Sequence, residues 1–460
     1  MTPAGRIAAA IELLTVVEAA AKRPADAVAN DFFRARRFIG AGDRRAVSER
    51  AWCVLRARRR LGWWLGRAGA DPTPRLLVAA ALLFDGWTPS GLGQAFSGGK
   101  FAGSPLTGAE QAALGKLVDH TLDHPAMPDA VRLEVPDWVL ARLAARFGTA
   151  LGAELGAMLE AAPLDLRANL LKGTREEARV ALAAEGFEAA PTRFSPWGLR
   201  LPGRRPVTAG PAFQSGLVEI QDEGSQLVAL LTDARPGMRV VDLCAGAGGK
   251  TLALAVTMSN RGHIAACDIS PARLDAAVRR FRRAGAHNIE RHLLGPGDKW
   301  LKRHAGSFDR VLVDAPCTGT GTWRRNPDAR ARLTEGDLEE LVVRQAGLLD
   351  DAASLVRNGG RLVYATCSLF AEENEGQVSA FLGRHAAFAL VPLARAWPLV
   401  VSPHVGVPSG ELPSGELPSG ERPGEELPGA GPLCAGETLV LTPRQHGTDG
   451  FFAAVLERAA

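Results

Sequence analysis

Cysteine is sparse. The 460 residues hold six, at positions 53, 244, 267, 317, 367 and 434, and no two form a C-x-x-C pair. That spacing argues against a cysteine-rich zinc site, and so long a chain has no need of a disulfide framework. No metal is expected. A run of 18 uncharged apolar residues is also missing, so no segment is expected to span a membrane. Neither sign of charge dominates: 54 Lys and Arg face 50 Asp and Glu, a net +4. The balance leans towards acidic partners without requiring one. The N-terminal stretch TPAGRIAAAIELLTVVEAA is apolar enough to raise the question of a signal peptide. Glu12 and Glu18 interrupt it, and Ile7, Ile11, Leu14 and Val17 make a helical stripe instead. A cytoplasmic protein, and a monomer, is expected.

What is present divides by texture. Residues 1–130 carry helical spacing rich in alanine and arginine, with little alternation. Within them DRRAVSERAWCVLRARRRLGWWLGR sets Arg56, Arg58, Arg59 and Arg60 beside Trp63 and Trp64. Such a stretch fits phosphates and stacked bases. A solvated arginine face above tryptophans buried in a bundle fits better, because both tryptophans follow an apolar helix pattern. Residues 131–210 mix helix signals with short strand-like pieces, LDLRANLLK and FSPWGLRLPG, as in a small α/β module; Arg167 and Asn169 there could touch an RNA backbone, but strand alternation alone explains the segment equally well. From 211 to 460 strands and helices alternate. Candidate strands are 238–244, 263–269, 288–293, 308–315 and 360–367. This is the rhythm of a mostly parallel α/β sheet with helices on both faces. ETLVLTP and GFFAAVLER would add a closing hairpin and make seven strands. Residues 407–429 repeat a five-residue PSGEL unit, too rich in Pro and Gly for a core, and are expected to carry no chemistry.

The first strand runs into a glycine turn, RVVDLCAGAGGKTLALA. In open α/β sheets a ligand binds at such a point. A dinucleotide fingerprint would need glycine at Thr251, and a phosphate loop would need one at Cys244. The third candidate is S-adenosylmethionine, with Asp242 and the turn at its methionine end, Asp268 on the ribose hydroxyls and Asp298 near the adenine. Successive carboxylates would repel phosphate but suit an ammonium, a sulfonium and a diol. The phosphate-loop ATPase remains an alternative.

Two further strand ends carry a cysteine: RVLVDAPCTGTGT ends at Cys317 and GRLVYATCSLF at Cys367. If their strands neighbour the first, both thiols face the cofactor crevice. Carbon 5 of a pyrimidine is not a nucleophile, but a thiolate adding at carbon 6 makes it one. One cysteine would attack and the other assist elimination. Asp314 would hydrogen-bond the base edge near N3 and O2, with Lys250 close enough to assist. For one cysteine alone, a small buried residue at a strand end is the plainer reading; two in matched positions after parallel strands favour the catalytic one, although Cys244 and Cys267 also end strands.

At these segments the chain resembles the bacterial RsmB and eukaryotic NOP2-type RNA cytosine-C5 methyltransferases. DLCAGAGGKT, with Asp242, Cys244, Ala245, Gly246, Gly248, Gly249 and Lys250, resembles their cofactor loop, with Ala-Gly where many members have Ala-Pro. CDISPARL, with Asp268 and Arg273, resembles the ribose segment; GDKW brings Asp298; DAPCTGTGTWRRNPD and YATCSLFAEENE resemble the two cysteine motifs. The resemblance implies that Cys367 attacks, Cys317 releases the product and Asp314 contacts the base. It further implies a class I, Rossmann-like methyltransferase domain at 211–460, a NusB-like RNA-binding domain at 1–130, S-adenosylmethionine as cofactor and RNA as partner. Ribosomal RNA of the small subunit is the expected substrate, with transfer RNA, or RNA binding without catalysis, as alternatives.

Overall fold

The computed structural model describes residues 1–20, 22–203, 205–295, 298–397 and 436–460. The PSGEL repeat at 407–429 and Cys434 lie outside them. The chain forms two compact units, one of residues 1–161 with 322–335, the other of 162–321 with 336–460.

The first unit is helical. Its opening helix, Pro3–Ala19, begins where Thr2 accepts the amide of Gly5 and proline occupies the first turn. Ile7, Leu14 and Val17 of the expected stripe are buried and Ile11 packs at its margin. Helix Pro74–Phe84 has every residue from Leu76 to Leu82 buried, as a helix apolar all round should. Helices continue beyond residue 130 to Ala157. The arginine–tryptophan stretch follows the inward reading. Arg58 pairs with Glu18, Arg59 with Asp137 at 3.3 Å, and Arg60 with Asp123 at 2.9 Å and buried Glu134 at 3.1 Å. Arg56 donates to the carbonyl of Arg324, which belongs to the same unit. Trp64 is buried and donates to the Leu122 carbonyl at 2.9 Å.

The second unit holds two sheets. Strands β1 (Leu164–Ala168), β2 (Ala190–Pro191), β3 (Gly198–Leu201) and β4 (Val218–Ile220) form a small antiparallel sheet in the order β2-β3-β1-β4. Its last strand thus lies beyond residue 210. Arg167 and Asn169 do not reach solvent, which goes against the RNA contact and with the structural reading. Arg167 donates to Gln221 at 2.7 Å, and Asn169 donates to the carbonyls of Gly216 and Ala284, both at 2.8 Å. β1 is buried on both faces from Asp165 on, and Asn169 directly after it is buried as well, where polar groups need partners.

The large sheet contains β5 (Arg239–Asp242), β6 (His263–Asp268), β7 (Ile289–Leu293), β8 (Phe308–Asp314), β9 (Val356–Thr366), β10 (Phe388–Leu390), β11 (Leu439–Leu441) and β12 (Phe451–Arg458). The order is β10-β12-β9-β8-β5-β6-β7, with β11 paired to β12 off this path. β5 to β9 pair in parallel, and β12 runs antiparallel to β9. β10, three residues at an edge, is the strand beyond the expected seven. The chain reverses direction across the sheet between β5 and β8, so their carboxyl ends open a crevice. β9 lies next to β8, which brings both cysteine-bearing strands to that end.

Candidate active site

The turn after β5 is tightly packed. Gly248 has φ +79°, and a Cβ there would stand 2.3 Å from the Phe281 ring, so only glycine fits. Arg280 donates to the Ala247 carbonyl at 2.8 Å and pins the loop from outside. Asp242, at the end of β5, is buried. Its Oδ2 accepts from Thr251 at 2.7 Å, while Oδ1 has no hydrogen-bond partner. Burial, together with the negative charge of Asp314, pushes its pKa up to about 7, although the Thr251 hydrogen bond opposes the shift. Asp268, at the end of β6, accepts from the amides of Gly246 at 2.8 Å and Ser270 at 2.7 Å. Each oxygen keeps a further lone pair. Asp298 follows β7, bound to His292 at 2.5 Å and to the Trp300 amide at 2.9 Å. The His292 hydrogen bond holds its carboxyl below the usual range. Arg273 is exposed on the first turn of helix Pro271–Ala284, where its amide, donating to Ser270, closes the cap.

These groups fit S-adenosylmethionine. An unpartnered, buried carboxylate oxygen suits an ammonium group, and a second carboxylate with free lone pairs suits a diol. A polyphosphate suits neither. Lys250 also argues against a phosphate loop: its Nζ is bound to Asp314 Oδ2 at 2.7 Å and lies 5.3 Å from the Phe451 ring centre.

Beyond Asp314 the two cysteine loops meet. Cys317 Sγ and Cys367 Sγ are 3.4 Å apart, both half-buried. The contact with Cys367, reinforced by burial, raises the Cys317 pKa and holds it as a neutral thiol. Backbone contacts join the loops: Ala315 donates to Ala365 at 2.8 Å and Gly321 to Cys367 at 2.9 Å. A Cβ on Gly321 would fall 2.2 Å from the Gly450 carbonyl oxygen, so this approach also demands glycine. Thr320 accepts the Leu369 amide at 2.7 Å.

A residue not singled out in the sequence completes the arrangement. Glu373 is wholly buried. Its carboxylate accepts the Thr318 amide at 2.9 Å, the Thr318 hydroxyl at 2.5 Å and Gln345 Nε2 at 2.9 Å. Gln345 also donates to the Pro316 carbonyl at 2.9 Å, and Tyr364 donates to the Glu373 carbonyl at 2.6 Å. One carboxylate therefore ties the Cys317 loop to the segment after Cys367. Its only signal in the sequence is its place in AEENE, four acidic or amide residues after an alanine, which does not distinguish one glutamate from its neighbours.

Comparison with known proteins agrees with this geometry. Residues 229–457 match the family described as 16S rRNA methyltransferase RsmB/F, and residues 135–208 match the RsmF/B-like ferredoxin-like domain. The chain is 34% identical over 329 residues to a probable ribosomal RNA small subunit methyltransferase B of Synechocystis, covering 70% of this chain and 67% of that one. It is 36% identical over 260 residues to ribosomal RNA small subunit methyltransferase B of Pectobacterium atrosepticum, covering 56% of this chain and 59% of the relative. The crystal structure of PH0851 matches with a TM-score of 0.74 at 26% identity, over 100% of this chain and 99% of that one. Among the described residues no helix is long and apolar enough to cross a membrane.

Proposed function

Because the chain belongs to the RsmB/F family of 16S rRNA methyltransferases, we propose that it transfers a methyl group from S-adenosylmethionine to carbon 5 of a cytosine in small-subunit ribosomal RNA. The observation that carries this reading is the 3.4 Å pair of thiols in the loops that follow β8 and β9, β8 itself ending at Asp314, which is paired with Lys250. Asp242, Asp268, Asp298 and the Cys244–Gly249 turn would hold the cofactor, which supplies an electrophilic methyl group.

The chain's own residues do the rest. The target base is turned out of any duplex. Cys367, as thiolate, forms a bond to carbon 6, and the displaced electron pair moves onto carbon 5 and the N3–O2 edge. Asp314 meets that edge, and the Lys250 charge offsets the density building there. After carbon 5 has been methylated, a base removes its proton. The carbon–hydrogen pair restores the double bond as the Cys367 sulfur leaves. Cys317, a neutral thiol in contact with that sulfur, assists its departure by hydrogen bonding. A cytoplasmic location follows from the proposed substrate.

The test is incubation of the purified chain with methyl-labelled cofactor and, separately, unmodified small-subunit ribosomal RNA and transfer RNA, followed by nucleoside analysis. Label in 5-methylcytidine from ribosomal RNA supports the reading. Label only from transfer RNA moves the substrate, and label in another nucleoside refutes it.

A further inference from the structure

The helical unit contains a second arginine-rich stretch, ARRFIGAGDRR at residues 35–45, which behaves unlike the one at 56–60. It joins helix Ala25–Ala35 to helix Ala41–Arg56. Ile39 is buried and anchors the connection, while Phe38 beside it is 77% exposed, more than any other large apolar side chain among the described residues. A phenylalanine held out in water next to an anchored isoleucine does nothing for the core.

Arg37, its neighbour in the chain, lines an open groove of 640 Å³ together with Asn30, Phe33, Arg34 and Arg44. Arg44 is fixed in place, donating to the Ile39 carbonyl at 2.8 Å with its guanidinium 5.9 Å from the Phe33 ring centre. Arg36 lies 3.9 Å over Phe32 and reaches Glu12 at 3.3 Å. Arg37 and Arg45 are exposed and meet no partner among the described residues. The nearby acids do not cancel this charge. Asp43 pairs with the N-terminal amine at 2.9 Å and Arg6 at 2.7 Å, and Asp31 pairs with Arg23 at 2.6 Å and Arg34 at 3.0 Å.

We propose that this surface, with Arg37, Phe38, Arg44 and Arg45 at its centre, binds a single-stranded stretch of RNA. Phosphates lie on the arginines and one base stacks on the Phe38 ring. Arginine beside an exposed aromatic face is the chemistry that recognises unpaired nucleotides. A rigid duplex would present phosphates but no base face to Phe38. The identity of the polyanion rests on the RNA-methyltransferase reading above; the surface itself does not.

The experiment uses the full chain and a short fluorescent single-stranded RNA, with anisotropy read at several salt concentrations. Two variants change exposed side chains only. The double variant R37E/R45E is expected to lose on the order of tenfold or more in affinity, with the slope of log K against log salt shallower by about 1.4, the loss of two phosphate contacts. F38A is expected to lose about tenfold with its slope unchanged. In methyl transfer, KM for RNA rises in both and kcat at saturating RNA holds. Unchanged affinity and slope in both variants would overturn the proposal. So would binding to phosphatidylserine vesicles that the variants abolish while RNA binding persists, which would mark a membrane-facing patch. A wild-type chain that binds RNA through these residues but methylates none would uphold the surface and refute the catalytic reading.

Discussion

Four cysteines stand at the carboxyl ends of neighbouring parallel strands, and the sheet treats them as two unlike pairs. Cys267 is wholly buried in the core beside Val241 and Leu243. Cys244, at the turn after β5, is half-buried. Burial, then the charge of Asp242, pushes both thiols well up, out of reach of the thiolate at neutral pH. Cys317 and Cys367 lie in the loops past the last paired residues of β8 and β9, as Cys244 lies past β5, but their two loops are tied to each other. There the two sulfurs meet at 3.4 Å. The end of a parallel strand is therefore not itself a catalytic position. The loop that follows, and the neighbour it is tied to, decide whether a thiol is packing or reagent.

The contrast breaks most sharply by mutation. Cys367→Ala should lower kcat by on the order of 10⁴-fold or more while RNA affinity changes little; residual transfer near wild type would place the nucleophile elsewhere. Next in size is the tie between the loops. Glu373→Ala leaves Thr318 and Gln345 without their shared acceptor and should cut kcat by about 10- to 100-fold, the scale of a misplaced reacting group, with Glu373→Gln falling between. The rate at which a short cross-linker with two thiol-reactive electrophiles bridges Cys317 and Cys367 should drop in parallel. An unchanged bridging rate would show that Glu373 does not set the sulfur spacing.

A smaller effect concerns pH. The Asp242 carboxyl is raised from 3.8 to about 7 in the folded chain. Between those values the folded state holds a proton that the unfolded state has lost. The contribution of Asp242 is thus fully present below about pH 4 and is lost as pH rises through 7, on the order of 4 kcal/mol in all. Denaturant unfolding of the cofactor-free chain across this window should show that slope, and Asp242→Asn should flatten it. The smallest effect separates the pairs from the other side. Cys267→Ala should cost about 1–2 kcal/mol of stability and leave methyl transfer per folded molecule unchanged.

Much of this was legible in the residues. The alternation of apolar runs and glycine turns located β5 to β9, and Asp242, Asp268 and Asp298 could be placed at successive strand ends because small-residue turns follow each run. Asp314, Cys317 and Cys367 were visible for the same reason. What escaped notice depends on side-chain direction in three dimensions. Phe388–Leu390 is too short to show a period and becomes a strand only because β12 offers an open edge. Arg167 and Arg60 look like phosphate ligands until Gln221 and Glu134 are seen against them. Residues 322–335 follow directly on the DAPCTGTG motif, yet their helix Ala329–Arg332 and buried Trp323 belong to the helical unit. Phe38 and Glu373 resemble ordinary helix-border and surface residues in a linear reading, and only exposure in one case and burial in the other sets them apart.

The division of labour within the reactive pair is open to a single direct measurement. Cys317→Ala is incubated with labelled RNA and S-adenosylmethionine, denatured and run on a gel, beside wild type and Cys367→Ala. The account predicts a covalent protein–RNA species that accumulates in Cys317→Ala and is absent from Cys367→Ala. An adduct in Cys367→Ala, or none in Cys317→Ala while it still methylates at the wild-type rate, would contradict it.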